Sequence, residues 1–266
     1  MSQRLQLALT VAAVALAASG AVIGITLETR DNPPKLHPQP GKPPVPKSLP
    51  GPVGAEIMKA LASWPHGSVA TLERLGQQNP KSPLVQLYRG IGLLWAGYTT
   101  DAEAALERTK KIARDTQWEI AADNILHPQY FGGYPIFSPI GRNTLLEQGS
   151  RLQAQGHQHS AERVYQRAAR LAPDDDEAQV AAAVGRFDKD NLAASFSRLG
   201  PLTRRFPRSQ VVRFYLGLLL AWTAQRDQAL VEFKHAYALG PTTQLGRGAK
   251  QFIDRVGAGG TDGSNK

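Results

Sequence analysis

A chain of 266 residues carrying a formal charge of +9 and no cysteine has room for one large domain or two small ones. The missing thiol excludes disulfides, iron–sulfur clusters, cysteine-ligated zinc and a cysteine nucleophile. Five basic and two acidic residues precede Gly54, which leaves +6 on the remainder, a surplus that keeps a domain soluble and, outside the cell, draws it towards anionic polymers or lipid head groups.

The first element is the uncharged run from Leu5 to Leu27. At about 1.5 Å per residue it is long enough to cross a bilayer core of about 30 Å. A cleaved signal peptide is the alternative, because Ala17-Ala18-Ser19-Gly20 offers small residues. The apolar run continues through Ile25, which favours an uncleaved anchor over residues 1–29. Arg4 on one flank, against Glu28, Arg30 and Asp31 on the other, puts the amino terminus inside and the rest of the chain extracytoplasmic. If the signal is cleaved, the protein is secreted.

Residues 30–53 follow as a linker. Asn32 to Pro52 holds nine prolines in 21 residues. Such a stretch joins neither a helix nor an inner strand, and predicts a semi-rigid polyproline arm reaching on the order of 60 Å.

Past Val53 the apolar period becomes helical, and Pro173, Pro207 and Pro241 fall 34 residues apart. A fixed period in this range signals stacked helical hairpins, none of which buries its apolar face alone. Arg142 to Asp175 presents Leu145, Gly149, Leu152, Gly156, Ala161, Tyr165, Ala168 and Pro173. Gln210 to Thr243 presents Leu216, Gly217, Leu220, Ala229, Phe233, Ala236 and Pro241, and Pro83 to Thr116 presents Gly90, Leu93, Gly97, Ala102 and Leu106 without a closing proline. On these residues the chain resembles the tetratricopeptide repeat family, in the manner of a membrane-anchored bacterial-type member, from about Gly54 to Pro241.

The spacing has a physical basis. Gly90, Gly149 and Gly217 let the first helix of a hairpin approach the second, where Ala161 and Ala229 return the favour, while Tyr165 or Phe233 fills the wedge and proline ends the hairpin. The resemblance implies an all-α, right-handed superhelix (solenoid) of four or five antiparallel hairpins over residues 54–256. It also implies a groove lined by first helices, which by position includes Gln86, Tyr88, Arg89, Gln148, Arg151, Arg213 and Tyr215.

An internal echo sharpens the register. Pro80 to Trp95 matches Pro207 to Trp222 at an offset of 127, which is three periods of 34 plus 25. An insert of that size is visible at about 117–141, carrying Trp118, Tyr130, Phe131, Tyr134 and Phe137 among glycines and prolines. Gln117 to Leu126 reads as helix, stopped at His127-Pro128. Aromatic rings on a turn-rich loop suit a peptide- or glycan-binding surface; packing against neighbouring hairpins is the plainer alternative. Gly200-Pro201 falls inside another expected helix and predicts a kink or a split. Thr242 or Thr243 is placed to cap a last amphipathic helix that closes the stack, and residues 257–266 read as a disordered tail.

Arg198, Arg204, Arg205 and Arg208 lie in a stretch, Asn191 to Arg226, with no acidic residue. They form a candidate anion-binding patch, although cations also suit a helix C-terminus. His157 and His159 lack a third ligand nearby, no phosphate loop or nucleophile elbow occurs, and Asp174-Asp175-Asp176-Glu177 reads as a helix start. No metal, cofactor, nucleic-acid site or catalytic residue is therefore expected. The function expected is a non-catalytic, membrane-tethered scaffold binding a peptide or protein partner. Alternatives are a helical domain of a cell-wall-active enzyme, for which Glu119 and Asp123 form the one carboxylate pair, and a structural module that self-associates.

Overall fold

The computed structural model describes residues 36–258, and these are all-helical, with twelve helices and no strand. They are α1 (Gly51–Ala62), α2 (Ser68–Gln78), α3 (Pro83–Trp95), α4 (Thr99–Ile112), α5 (Gln117–Leu126), α6 (Thr144–Ala154), α7 (Gln158–Leu171), α8 (Asp176–Val184), α9 (Ala193–Arg205), α10 (Gln210–Trp222), α11 (Arg226–Leu239) and α12 (Gln244–Ala258). The apolar run Leu5 to Leu27, its orientation and the tail 259–266 lie outside the described residues. Within them, no helix is long and apolar enough to cross a membrane.

Two compact units divide the chain, the first ending at Gly133 and the second starting at Tyr134, inside the 117–141 insert that interrupts the repeats. In the first, α1, α2 and α3 pack successively, α3 packs on α4, and α5 lies against both α3 and α4. Leu61, Leu72, Leu75, Tyr88, Ile91 and Leu106 fill its core. In the second, α6 pairs with α7, α8 with α9, α10 with α11, and α12 covers α10 and α11.

Hairpins close because small residues face large ones. A β-carbon added at Gly90 would lie 2.8 Å from Leu106, one at Gly217 would lie 3.1 Å from Phe233, and one at Gly149 would run into the Tyr165 ring. Each glycine precedes its partner by 16 positions, so the same close approach recurs in three hairpins of the two units. The turn inside each hairpin sits seven residues after that glycine, in left-handed backbone: Gly97 at φ 87°, Gly156 at φ 83° and Ala224 at φ 60°. The next amide in each case (Tyr98, His157, Gln225) reaches back to the carbonyl of Leu93, Leu152 or Leu220. Glycine tolerates this conformation freely; alanine at 224 does so at a cost.

Helix starts are equally local. Ser82 and Ser209, the pair related by the 127-residue offset, accept from the amides of Val85 and Val212 at 3.4 and 3.1 Å. Asn143, Asp175 and Thr243 cap α6, α8 and α12 in the same way, satisfying amides that a helix cannot pair internally.

Two expectations need correcting. Pro201 neither splits nor ends its helix: α9 runs through it, because Pro201 and Ser197 are exposed and the carbonyl it leaves unpaired has access to water. The proline-rich segment is not wholly a stand-off arm, since Leu36, Pro43 and Pro46 are buried and Leu36 joins the first unit's core. In the 117–141 insert, Gln117–Leu126 is the helix expected there, α5, packed into the first unit; the remainder leads into an extended segment of the second unit.

Candidate functional site

That extended segment, Tyr134 to Gly141, is the least regular part of the second unit and the most heavily held. Its buried and exposed residues alternate: Pro135 and Phe137 are inside, Ile136 and Ser138 outside. Phe137 is fully buried, with ring centroids 5.7 Å from Tyr165 on α7 and 4.8 Å from Tyr215 on α10. Burying a ring of this size contributes about 2–3 kcal/mol. Tyr134 sets its ring edge-on to Phe187, with Lys189 over its face.

The backbone of the segment is gripped by side chains. On α6, Gln153 accepts from the Phe137 amide at 2.9 Å and donates to the Pro135 carbonyl at 3.2 Å. Its oxygen also accepts the Tyr165 hydroxyl at 2.9 Å, and Gln158 accepts from its nitrogen at 3.2 Å. On α10, Tyr215 accepts from the Ser138 amide at 2.7 Å and donates to the Ser138 carbonyl at 3.3 Å. On α8, the Glu177 carboxylate accepts from the Ile140 and Gly141 amides. An alternate set of helices, α6, α8 and α10, therefore holds one extended chain along its length. Whereas α8 packs on α10 and α10 on α12, no comparable packing joins α6 to α8 among the described residues; the segment bridges that interval.

Electrostatics define what these groups can do. Burial pushes the Tyr215 hydroxyl up to about 12; its bonds to Ser138 pull in the opposite direction and the Glu177 charge adds to the rise. Burial, reinforced by Tyr215, also raises Tyr165. Both phenols are neutral at physiological pH and act as hydrogen-bonding groups, not as general bases. Beside the segment a cavity of ≈ 380 Å³ opens, lined by Ile136 and Ser138 together with Phe214, Tyr215, Leu218 and Leu245.

The residues expected to line a groove separate into different roles. Gln86 and Tyr88 are buried; Gln86 donates to the Gly76 and Asn79 carbonyls and ties α3 to the end of α2. Burial raises the Tyr88 hydroxyl to about 12. Arg89 pairs with Glu73 on the preceding helix α2 at 3.0 Å, and Arg213 pairs with Glu232 inside its own hairpin at 3.0 Å. Gln148 and Arg151 on α6 are exposed. Tyr215 is buried and holds the segment, a role that its position in the repeat does not announce.

The aromatic insert also divides. Trp118 packs on the first unit's core, Tyr130 stacks on His127, and Phe131 is 60% exposed. Beneath them Asp123, fully buried, meets Lys110 Nζ at 2.9 Å and His127 Nδ1 at 3.2 Å. Glu119 accepts instead from the Asp115 amide at 2.6 Å, so the two carboxylates serve different partners. Lys110, thirteen residues before Asp123, is a partner that sequence spacing does not mark.

In the basic stretch, Arg204 and Arg208 are exposed, Arg205 reaches Asp174 at 2.8 Å and lies over Phe206. Arg198 is half-buried, and burial together with Arg186 and Arg170 lowers its pKa against the pull of Glu162. These arginines lie on α9 and just past its C-terminus.

Compared with protein-family models, with curated proteins and with solved structures, the chain matches none.

Proposed function

We propose that this protein is a helical-repeat scaffold of the tetratricopeptide kind, which binds an extended peptide of a partner protein across alternate helices. The observation that carries the proposal is the Tyr134–Gly141 segment, an extended chain held through its backbone by Gln153, Glu177 and Tyr215 from α6, α8 and α10. Main-chain hydrogen bonds supply affinity for an extended chain, and pockets for alternate side chains supply selectivity. The small-on-large contact repeated at Gly90, Gly149 and Gly217 supports the family reading. The N-terminal apolar run tethers the scaffold to a membrane in this proposal, with the repeats extracytoplasmic and no catalytic step.

Photocrosslinking from Gln148 and Arg151, both exposed on α6, followed by purification from membranes, tests this. A discrete partner captured from these two sites, and absent when the crosslinker is moved to Glu103 on α4, is expected. Recovery of abundant unrelated proteins from all three positions would end the scaffold proposal.

A further inference from the structure

The segment Tyr134–Gly141 carries information about the partner as well as about the fold. Its sequence is Tyr-Pro-Ile-Phe-Ser-Pro-Ile-Gly. Pro135 and Pro139 have no amide hydrogen to satisfy and restrict themselves and their predecessors to extended backbone. The amides of Phe137, Ser138, Ile140 and Gly141 all donate to helix side chains. Phe137 alone enters the interior as a large ring, between Tyr165 and Tyr215. A prolyl frame, one aromatic anchor and a side-chain grip on the backbone together form a binding mode for a linear peptide.

We infer that Tyr134–Gly141 is a resident, exchangeable ligand, and that the face of α6, α8 and α10 recognises partner segments of the pattern Pro-x-Phe-Ser-Pro by displacing it. This inference rests on the peptide-binding function proposed above. Two observations favour exchange. From Phe131 to Arg142 the described chain makes no turn or loop backbone–backbone hydrogen bond, so the hairpins complete their own hydrogen-bond ladders without it. One edge is also open: Ile136 is 44% and Ile140 55% exposed, and the ≈ 380 Å³ cavity flanks Ile136 and Ser138, leaving room for an incoming chain to engage before the resident one has left.

The test is fluorescence anisotropy with a labelled synthetic peptide of residues 132–142, titrated with the full chain and two variants. Phe137→Ala removes the anchor; the double variant Pro135→Gly with Pro139→Gly keeps the anchor and loosens the frame, and serves if Phe137→Ala fails to fold by circular dichroism. Because a resident ligand taxes the apparent affinity by the fraction of open groove, either variant binds at least about tenfold more tightly than the parent. A peptide with alanine in place of its phenylalanine binds none of them. Equal affinity of parent and folded variants overturns exchange. If the variants capture members of a pool of unrelated extended peptides but not this one, the partner class is overturned while the groove function stands; if they capture neither, both fall.

Discussion

The Tyr215 hydroxyl meets both the amide and the carbonyl of Ser138, at 2.7 and 3.3 Å across 77 residues of sequence. A single side chain on α10 thus closes the loop that begins the second unit. Tyr215→Phe keeps the ring against Phe137 and removes both bonds. The expected loss is about 1–2 kcal/mol of stability, read as a lower urea midpoint with unchanged slope. The Ser138 amide should also exchange with solvent faster than in the parent, while those of α11 do not.

The hydroxyls of Tyr88 and Tyr215 both stand near 12 in the fold, against about 10 in an unfolded chain. Folded protein therefore holds these protons more tightly. The associated stability is complete below pH ~10 and is lost as pH rises through ~12, amounting to roughly 2–3 kcal/mol per tyrosine. Urea titrations at increasing alkaline pH should show falling midpoints above pH ~10, accompanied by tyrosinate absorbance that appears with unfolding. Midpoints that hold steady through this window would refute it.

Ala224 occupies the left-handed turn position that glycine fills at 97 and 156. Relieving the β-carbon there outweighs the extra freedom glycine gives the unfolded chain, so Ala224→Gly should stabilise by about 0.5–1 kcal/mol, and Gly97→Ala or Gly156→Ala should destabilise by a similar or larger amount. Thermal unfolding of the three variants checks the opposite signs.

Glycines on the hairpin contacts rank by what they face. At Gly149 a methyl group collides with the Tyr165 ring, which Gln153 and Phe137 hold in place. Gly149→Ala should therefore cost about 1–3 kcal/mol in overpacking. At Gly217 the nearest Phe233 atom lies at 3.1 Å, and the gain in helix propensity of about 1 kcal/mol offsets most of the strain. Chemical denaturation should separate the two; equal costs would show that Tyr165 yields as readily as Phe233.

Asp123→Ala removes the buried carboxylate that Lys110, only 12% exposed, and His127 both meet. Removing one member of a buried ion pair costs about 3–5 kcal/mol. The double variant Asp123→Ala with Lys110→Met should recover part of this loss in urea unfolding, since it removes the buried lysine charge along with the carboxylate.

The hairpins were legible because their determinants are local. Ser82 and Ser209 cap their helices with the same bond, the glycines at 97 and 156 sit where the chain must reverse, and the periodic small residues mark the contacts. Pro201 does not split α9, because an exposed helix face lets water take the unpaired carbonyl, which composition cannot register. The repeat places Tyr88 and Gln86 on a groove because its period fixes a residue's face and leaves open how deeply that face is covered.

By itself the sequence determined helices, caps, turns and the small-to-large contacts that close each hairpin, since these depend on residues within about one hairpin of each other. It also marked 117–141 as the break in the pattern. Only the tertiary structure decided what the break does: α5 continues the first unit, while Pro135, Phe137 and Ser138 lie across α6, α8 and α10. Their partners Gln153 and Tyr215 lie 16 and 77 residues away, and no local period encodes contacts between one extended chain and side chains on separate helices.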